Sequence, residues 1–336
     1  MKKIYLLICF ISLSCANYNV KIAEESTSNI FKPKSQLSSR VYLIGDTGYS
    51  PAGNTSEGLL ALNELIKEES TINDYLVVLG DNVYPSGMPP ETSQDRVEAE
   101  ARLEAQLKVY ANFKGSVIMI PGNHDWRNKL KGVKEQQNLV EVFSDKKISW
   151  LPKAGCGISG QDLSDKVYLI TLDSQWFLED WDQHPKINKS CEEIKTRKQF
   201  IEEFDTEIKK NQNKTVIVSL HHPLYSNGIH GGQFEFTKHL YPSSKKIPLP
   251  GLASLANLIR ATGGVSKQDI QNQQYQSLVK QLEARANKWG NVIFTSGHEH
   301  SLQYLENARL KQIVSGSGSK FSYVKLGLNS KFAYPG

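Results

Sequence analysis

The sequence predicts a layered α/β fold, and three observations support this prediction. Short apolar runs bounded by turn residues alternate with longer amphipathic stretches, as strands alternate with helices. The 336 residues are 39% hydrophobic and 22% charged, which excludes collagen-like, coiled-coil and disordered chains. Polar residues able to bind metals follow five of the apolar runs. The length suits one large α/β domain or two small ones.

Strands are expected where short apolar runs end at turn residues. In chain order these are residues 41–45, 75–80, 116–120, 167–172, 215–220, 292–296, 303–305 and 312–314. Helices are expected where apolar residues recur at a spacing of three or four. These are residues 57–68, 94–113, 133–143, 191–210, 252–261 and 268–288. The stretch 225–250 is rich in Gly, Pro, Tyr and His without a clear period, and is expected to be a functional loop or lid.

The N-terminus has the pattern of an export signal, because Lys2 and Lys3 precede an apolar run over residues 4–13. Two cleavage interpretations remain open. Small residues at 14–16 suit an ordinary signal peptidase, whereas residues 12–15 resemble a bacterial lipobox with a lipidated Cys15, although Ser12 stands where Leu is usual. The predicted organisation is a signal peptide over 1–15, a flexible tether over 16–40, the folded domain over 41–328 and a tail over 329–336.

The expected location is the bacterial cell envelope, either as a membrane-anchored lipoprotein or as a periplasmic or secreted protein. After residue 13, no segment approaches the ~20 apolar residues of a membrane span. The formal charge of +5 falls by two if Lys2 and Lys3 are removed, so nucleic acid is not expected as a partner.

Two of the four cysteines fall in the predicted folded domain. Cys9 lies in the signal core and Cys15 at the cleavage site, which leaves Cys156 and Cys191. An exported pair suggests one disulfide, and two buried free thiols are the alternative.

Five predicted strands are each followed by side chains suited to metal binding. In open α/β sheets, ligands gather at the carboxyl ends of strands. Two carboxylates, a phenol, a carboxamide and three imidazoles are too many for one ion and suit a pair of Fe, Zn or Mn ions. The candidates in chain order are Asp46, Asp81, Tyr84, Asn123, His221, His298 and His300.

Three of these candidates also have an ordinary structural interpretation. Asp46 is the type of residue that caps a helix, and Asn123 the type that shapes a turn. Tyr84 is also the type of residue that packs in a core without binding metal. The joint occurrence of all seven residues at strand ends favours the metal-binding interpretation.

Five short motifs stand in the order found in the calcineurin-like metallophosphoesterases. They are Gly-Asp46-Thr-Gly, Gly-Asp81-Asn82-Val-Tyr84, Gly-Asn123-His124-Asp125, His221-His222-Pro223 and Gly-His298-Glu-His300. The chain therefore resembles this superfamily and, within it, the purple acid phosphatase branch. The resemblance implies a layered sandwich of two mixed β-sheets flanked by helices, with two metal ions, Fe together with Fe, Zn or Mn.

The resemblance also implies how the ligands divide between the two ions. Asp46, Asp81, Tyr84 and His300 would bind the first ion, and Asp81, Asn123, His221 and His298 the second, with Asp81 bridging. Gly48 stands where the commoner first motif has a histidine. This departure disfavours the protein serine/threonine phosphatase and cyclic-nucleotide branches. It leaves Tyr84 as the replacement ligand, as in purple acid phosphatases.

Two further histidines are catalytic candidates. His124 follows a ligand on the same turn, so it can protonate the leaving oxygen or stabilise developing charge. His230 follows the His221 motif at the spacing that purple acid phosphatases use for a substrate-side histidine, although a solvated loop residue is the alternative. Asp125 is expected to be a structural hydrogen-bond partner, and Trp126 either core or rim of the site.

The function implied is that of an exported, acid phosphatase-like metal hydrolase that cleaves phosphate monoesters by attack of a metal-bound hydroxide. Hydrolysis of phosphodiesters or sphingolipid-type substrates on the same core is the first alternative. A non-catalytic module that binds a phosphorylated ligand is the second. The expected partners are a phosphate ester substrate and a membrane reached through the N-terminal tether. Because related phosphoesterase domains in some exported bacterial proteins precede an outer-membrane barrel, fusion to or association with such a barrel is also an expectation.

Overall fold

The computed structural model describes residues 21–22, 37–50, 54–144, 147–181, 187–241, 247–307, 310–327 and 330–334. The predicted signal peptide, its cleavage site and Cys15 lie outside these residues. Among the helices that the structure describes, none is both long enough and apolar enough to cross a membrane.

The first half of the domain forms a parallel four-stranded sheet in the order β2-β3-β4-β5. Helices connect its strands, because parallel neighbours need a crossover connection. The strands are β2 (Val41–Ile44), β3 (Tyr75–Val78), β4 (Ser116–Met119) and β5 (Ile148–Trp150). The helices are α1 (Glu57–Glu69), α2 (Arg96–Tyr110) and α3 (Lys129–Ser144), the last preceded by a 3₁₀ turn at Asp125–Asn128.

The second half forms most of an eight-stranded mixed sheet in the order β1-β12-β10-β11-β9-β8-β7-β6. Strands β7, β8, β9 and β11 run parallel, and the remaining pairings are antiparallel. The strands are β1 (Lys21–Ile22), β6 (Ile158–Ser164), β7 (Val167–Leu172), β8 (Thr215–Leu220), β9 (Val292–Ser296), β10 (Leu302–Asn307), β11 (Leu310–Ser315) and β12 (Ser330–Tyr334).

Three helices of the second half begin at side-chain caps and bury several residues. Thr196 accepts a hydrogen bond from Gln199 N–H, and Asn272 accepts one from Gln274 N–H, as N-cap residues do. The elements are α4 (Ser174–Leu178), a 3₁₀ turn at Ile187–Lys189, α5 (Arg197–Lys210), α6 (Phe236–Leu240), α7 (Pro250–Gly263) and α8 (Gln273–Trp289).

The two sheets pack face to face, and strand alternation explains how. Val77 and Leu79 of the β3 segment pack with Leu163 and Leu169 of β6 and β7 in a cluster between the sheets. The alternate residues of β3 point the other way, into the cluster beneath the helices. The predicted α/β sandwich of two sheets flanked by helices is therefore confirmed, with the four-stranded sheet parallel and the eight-stranded sheet mixed.

The structure differs from the sequence prediction at both ends of the domain. Residues 330–334, predicted as tail, form β12, which pairs with β10 and with β1. Lys21–Ile22 of β1 falls in the predicted tether. These short strands form because an existing sheet edge supplies their hydrogen bonds. The composition of such a short segment does not indicate this pairing. Strands β5 and β6 were also missed for this reason.

The predicted helix over 191–210 begins only at Arg197. Cys191, at the start of the predicted helix, instead forms a disulfide with Cys156. The disulfide interpretation of this cysteine pair therefore agrees with the structure. Within its described residues, the expected loop over 225–250 contains regular helix only in α6 and at the first residue of α7.

Candidate metal centre

The site lies where the carboxyl ends of strands from both sheets meet. Asp46 and Asp81 follow β2 and β3 with φ angles of 59° and 55°, and His298 follows β9 with a φ of 68°. Such left-handed backbone is uncommon for residues other than glycine and is concentrated at functional sites. The two aspartate turns are joined, because Asp46 N–H donates to the Gly80 carbonyl and Gly48 N–H to the Asp81 carbonyl. The turns therefore hold both carboxylates at the same edge.

Three donor atoms form a first triangle. Tyr84 Oη lies 2.8 Å from Asp46 Oδ1 and 3.0 Å from His300 Nε2. The His300 Nε2 to Asp46 Oδ1 distance is 3.4 Å. Ligand atoms bound to one ion at about 2.0–2.2 Å stand roughly 3 Å apart. This first donor group thus has the spacing of a coordination sphere.

A second triangle surrounds the side-chain oxygen of Asn123. His221 Nε2 and His298 Nδ1 each lie 3.0 Å from Asn123 Oδ1. The opposite ring nitrogens donate to the Leu79 and Gln268 carbonyls at 2.7 and 3.0 Å. When both rings are deprotonated, as metal ligands must be, the nitrogens facing Asn123 carry lone pairs. Three acceptors then converge on one point, an arrangement that a bound cation satisfies.

Asp81 lies between the two groups. Its Oδ1 is 3.4 Å from His221 Nε2 and accepts a hydrogen bond from His124 N–H at 2.8 Å. Donor atoms of Asp46, Asp81 and His221 all lie within 4.8 Å of one another, and the three residues are buried. These residues could hold a metal ion, and the mixed oxygen and nitrogen donors fit Fe, Zn or Mn.

Charge coupling between the site residues changes their titration. Burial opposes ionisation of Asp81, but the imidazoles of His221 and His124 outweigh it and hold the pKa of Asp81 below its ordinary value. Burial likewise opposes protonation of His221, but Asp81 and Asp46 raise the pKa of His221 to about 9. Burial and the carboxylates of Asp46 and Asp81 raise the pKa of Tyr84 well above its ordinary value.

His124 lies beside the first donor group at the mouth of the site. Its Nδ1 lies 2.5 Å from the Pro85 carbonyl, and its Nε2 is 3.9 Å from Asp81 Oδ2. Its ring packs against Tyr84 with centroids 4.3 Å apart. Burial lowers the pKa of His124. The partly exposed imidazole is therefore free to meet a substrate at one edge while its other nitrogen is held.

His230 reaches the site from the loop after β8. Its ring packs on His298 with centroids 4.2 Å apart, and the backbone N–H of His230 donates to Glu299 Oε1. Its Nδ1 lies 3.3 Å from Asp269 Oδ1. Asp269 in turn accepts two hydrogen bonds from Arg260 of α7. The spacing to His298 places His230 beside the second donor group, not in open solvent.

The profile of the calcineurin-like phosphoesterase family matches residues 39–247. The chain belongs to this family. The match includes Asp46, Asp81, Asn123 and His221 and ends before the motif that carries His298 and His300. Among curated protein sequences, none matches the chain significantly.

Two solved structures resemble this calcineurin-like phosphoesterase. One is described as GAP50, the anchor in the inner membrane complex of Plasmodium, with a TM-score of 0.53, 15% identity, and coverage of 88% of this chain and 77% of that chain. The other is PhoD, with a TM-score of 0.48, 10% identity, and coverage of 83% of this chain and 56% of that chain. At 15% identity, the likeness to GAP50 shows a shared fold alone.

Residues next to the motifs have structural roles in this chain. Asp125 accepts hydrogen bonds from the backbone of Gly122, Asn82 and Val83, as expected of a residue that shapes the site. His222 lies apart from the Asn123 triangle, with Nδ1 2.8 Å from Ser174 Oγ and Nε2 2.7 Å from Gln268 Oε1. Both ring nitrogens of His222 are therefore engaged outside that triangle, whereas Nε2 of His221 faces Asn123.

Trp126 is buried in the core and is not a rim residue. Its Nε1 donates to the carboxylate of Asp173, which lies beneath the site at the start of α4. The prediction left core and rim open for this side chain. Because the polar Nε1 is buried against a carboxylate partner, Trp126 belongs to the core.

Sequence reasoning missed Lys320. This residue follows β11, and its Nζ lies 3.4 Å from the centroid of the Tyr84 ring and 4.4 Å from that of Tyr49. Burial lowers the pKa of Lys320, while Asp81 and Asp46 act in the opposite direction. No motif marked this lysine, because it follows a Ser-Gly stretch beyond the last motif and approaches Tyr84 only through the packing of the loops.

Proposed function

We propose that this calcineurin-like phosphoesterase binds two metal ions and hydrolyses phosphate monoesters. The observation that carries the proposal is the pair of donor triangles, around Tyr84 and around Asn123, with Asp81 between them. Together with Asp81 the two triangles offer seven side chains, which is more than one Fe, Zn or Mn ion takes.

The proposed ligands divide as the two triangles do. Asp81 would contact both ions, since its Oδ1 lies 3.4 Å from His221 Nε2 and its carboxylate lies within 4.8 Å of that of Asp46. When bound, the ions would supply charge for the phosphoryl oxygens and acidify water near neutral pH. The first ion would be bound by Asp46, Asp81, Tyr84 and His300, and the second by Asp81, Asn123, His221 and His298.

His124 and His230 are proposed to contact the substrate from opposite sides. The Pro85 carbonyl orients His124 so that Nε2 faces the site, where it can donate a proton to the leaving oxygen or stabilise its developing charge. Asp269 Oδ1 lies 3.3 Å from Nδ1 of His230, and the His230 ring packs on His298, where it can bind a phosphoryl oxygen. Both roles require only proton donation or hydrogen bonding by the imidazoles.

The position of Tyr84 supports a site of the purple acid phosphatase type. With Gly48 in place of a histidine, the first donor group has three oxygen ligands and one imidazole, a hard set that suits Fe(III). A trivalent cation would offset the effect of Asp46 and Asp81 on Tyr84 and favour the phenolate. Iron in the first group and Fe, Zn or Mn in the second is the proposed loading.

The phenolate assignment predicts a visible colour. Charge transfer from phenolate to Fe(III) should give the iron-loaded protein an absorption band, and Tyr84→Phe should remove that band while far-UV circular dichroism stays unchanged. Tyr49→Phe is the matched control, because Tyr49 packs edge-on against Tyr84 without contacting the donor atoms. A colourless iron-loaded wild type, or a full band in Tyr84→Phe, would remove the purple acid phosphatase assignment.

The reaction is tested with paired substrates. The purified full-length protein, loaded with metal, should release phosphate from p-nitrophenyl phosphate faster than it cleaves bis(p-nitrophenyl) phosphate, and chelation should abolish both activities. Faster cleavage of the diester would favour the phosphodiesterase alternative. Tight phosphate binding without turnover of either substrate would favour a non-catalytic binding module.

We also propose that the protein is exported and tethered to a membrane through its N-terminus. The charged and apolar pattern of residues 2–13 supports export, and a disulfide between Cys156 and Cys191 is typical of oxidising compartments. Expression in a bacterial host should yield a detergent-released membrane protein, and Cys15→Ser should alter that partition. A soluble form that begins at residue 17 would support ordinary signal-peptidase cleavage instead.

A further inference from the structure

The loop after β11 fixes Lys320 against the turn that carries Asp46. Gly318 N–H donates to the Gly45 carbonyl at 3.0 Å, and Ser319 Oγ donates to the Asp46 carbonyl. Ser319 Oγ also accepts a hydrogen bond from Tyr49 N–H at 3.0 Å. The backbone that precedes Lys320 is thus tied to the metal-binding edge by three hydrogen bonds.

The side chain of Lys320 extends over an aromatic surface at the mouth of the site. Its ammonium lies over the Tyr84 ring at 3.4 Å and near the Tyr49 ring at 4.4 Å. Cation–π contacts of this kind hold an ammonium in place while its N–H groups stay available. Tyr84 Oη belongs to the first donor group, so Lys320 Nζ stands beside that group.

The ammonium of Lys320 has no carboxylate oxygen within 4 Å among the residues that the structure describes. Neighbouring Arg102 is already engaged, because it donates to the Tyr84 carbonyl and to Glu98. Asp46 accepts hydrogen bonds from His298 N–H and Tyr84 Oη, and Asp81 accepts one from His124 N–H. A half-buried cation without an ion-pair partner, aimed at a site for anions, is suited to bind charge on the substrate.

We propose that Lys320 Nζ binds a terminal oxygen of the substrate's phosphoryl group and so favours phosphate monoesters over diesters. The inference rests on the proposed phosphoesterase function. A monoester dianion carries one more negative charge than a diester and presents an unsubstituted oxygen where a diester has a second ester group. An ammonium at this position therefore stabilises the monoester selectively.

The test compares Lys320→Met with Lys325→Met in the full-length, metal-loaded protein. Lys325 is an exposed lysine of the same segment. Lys320→Met should lower kcat/KM for p-nitrophenyl phosphate by about 10- to 100-fold, the range expected for one hydrogen bond to a charged group, and lower that for bis(p-nitrophenyl) phosphate by less than about 3-fold. Lys325→Met should change neither value.

Two measurements independent of turnover accompany the assay. Calorimetric binding of inorganic phosphate should weaken by a similar factor in Lys320→Met, and Lys320→Arg should restore part of it because the positive charge returns. Metal content should match that of the wild type. Equal losses on both ester substrates with unchanged phosphate affinity would overturn the proposal and show that Lys320 acts only by packing on Tyr84.

The outcomes separate this inference from the function on which it rests. A wild type that hydrolyses neither ester contradicts the phosphoesterase proposal. Phosphate binding would still test Lys320 in that case, since weaker binding in Lys320→Met alone supports the assignment and equal binding in all variants overturns it.

Discussion

Polar side chains are buried at the metal-binding edge, whereas apolar side chains are exposed on helix α7. At the edge, Asp46, Asp81 and His221 are buried, and each is held by several polar partners. On α7, Leu252 and Leu258 are 61% and 58% exposed. Burying a charged or polar group is tolerated only where partners compensate for lost hydration. Around this site, a polar side chain is buried where hydrogen-bonding partners compensate for its lost hydration, so polarity alone does not predict exposure.

Asp269 connects the two regions. Its carboxylate accepts two hydrogen bonds from Arg260 of the largely exposed helix α7. One of its oxygens lies 3.3 Å from His230 Nδ1. Burial opposes ionisation of Asp269, but the contacts with His230 and Arg260 lower the pKa of Asp269 to about 2. Through this contact a helix with little buried surface can still affect the geometry of the site.

The largest effect is expected for Asp81→Asn at the metal-binding edge. The substitution removes the carboxylate charge proposed to serve both ions, so activity should fall to background. Metal content by elemental analysis should fall together with it. Asp165→Asn, an exposed change, should keep both values. Two ions bound with normal turnover in Asp81→Asn would contradict the bridging role.

His124→Ala should slow turnover by ~100-fold or more while metal content stays at the wild-type level, because it removes a proton donor and not a ligand. Alkyl phosphates should lose more than activated aryl phosphates, since poor leaving groups need the proton most. His239→Ala serves as the control. Equal losses on both substrate types would assign His124 to charge stabilisation instead.

Arg260→Met tests the connection between the two regions. Because the folded-state pKa of Asp269 lies below its ordinary value, its ionised form stabilises the fold above about pH 4, and this contribution is lost as the pH falls toward about 2. The variant should lose about 1–2 kcal/mol of unfolding free energy at pH 7 and progressively less as the pH approaches 2.

Denaturant unfolding at several pH values measures this loss, with Arg285→Met as the comparison. Arg285 donates to a carbonyl of its own helix and has no described carboxylate partner within 4 Å. Its substitution should show no such pH dependence. A pH-independent loss in Arg260→Met would mean that packing, not the charge of Asp269, links α7 to the site.

The smallest effect is expected on the exposed face of α7. Leu255→Ala should change the unfolding free energy by less than about 0.5 kcal/mol, because the side chain is already exposed to solvent. Leu278→Ala on α8, where the leucine is buried, should cost about 2–5 kcal/mol. A large loss in Leu255→Ala would show that the face of α7 is covered in solution.

The order of the major elements and the residues at the strand ends could be predicted from local residue patterns. Strand β3 and Asp81 were predictable together, because an apolar run followed by a turn residue is a local pattern. The parallel connections then bring such ends to one edge. The structure places all seven candidate ligands there, and their assignment to two ions remains a prediction.

Which atoms face one another depends on the packing of distant segments. The carbonyls of Leu79 and Gln268 orient His221 and His298, and neither contact is visible in the motifs. Lys320 reaches Tyr84, and Arg260 reaches Asp269, across the packing of separate loops and helices. Strand β12 likewise exists because the edge of β10 supplies its hydrogen bonds. These contacts join residues brought together by sheet pairing and loop packing, for which local residue patterns carry no signal.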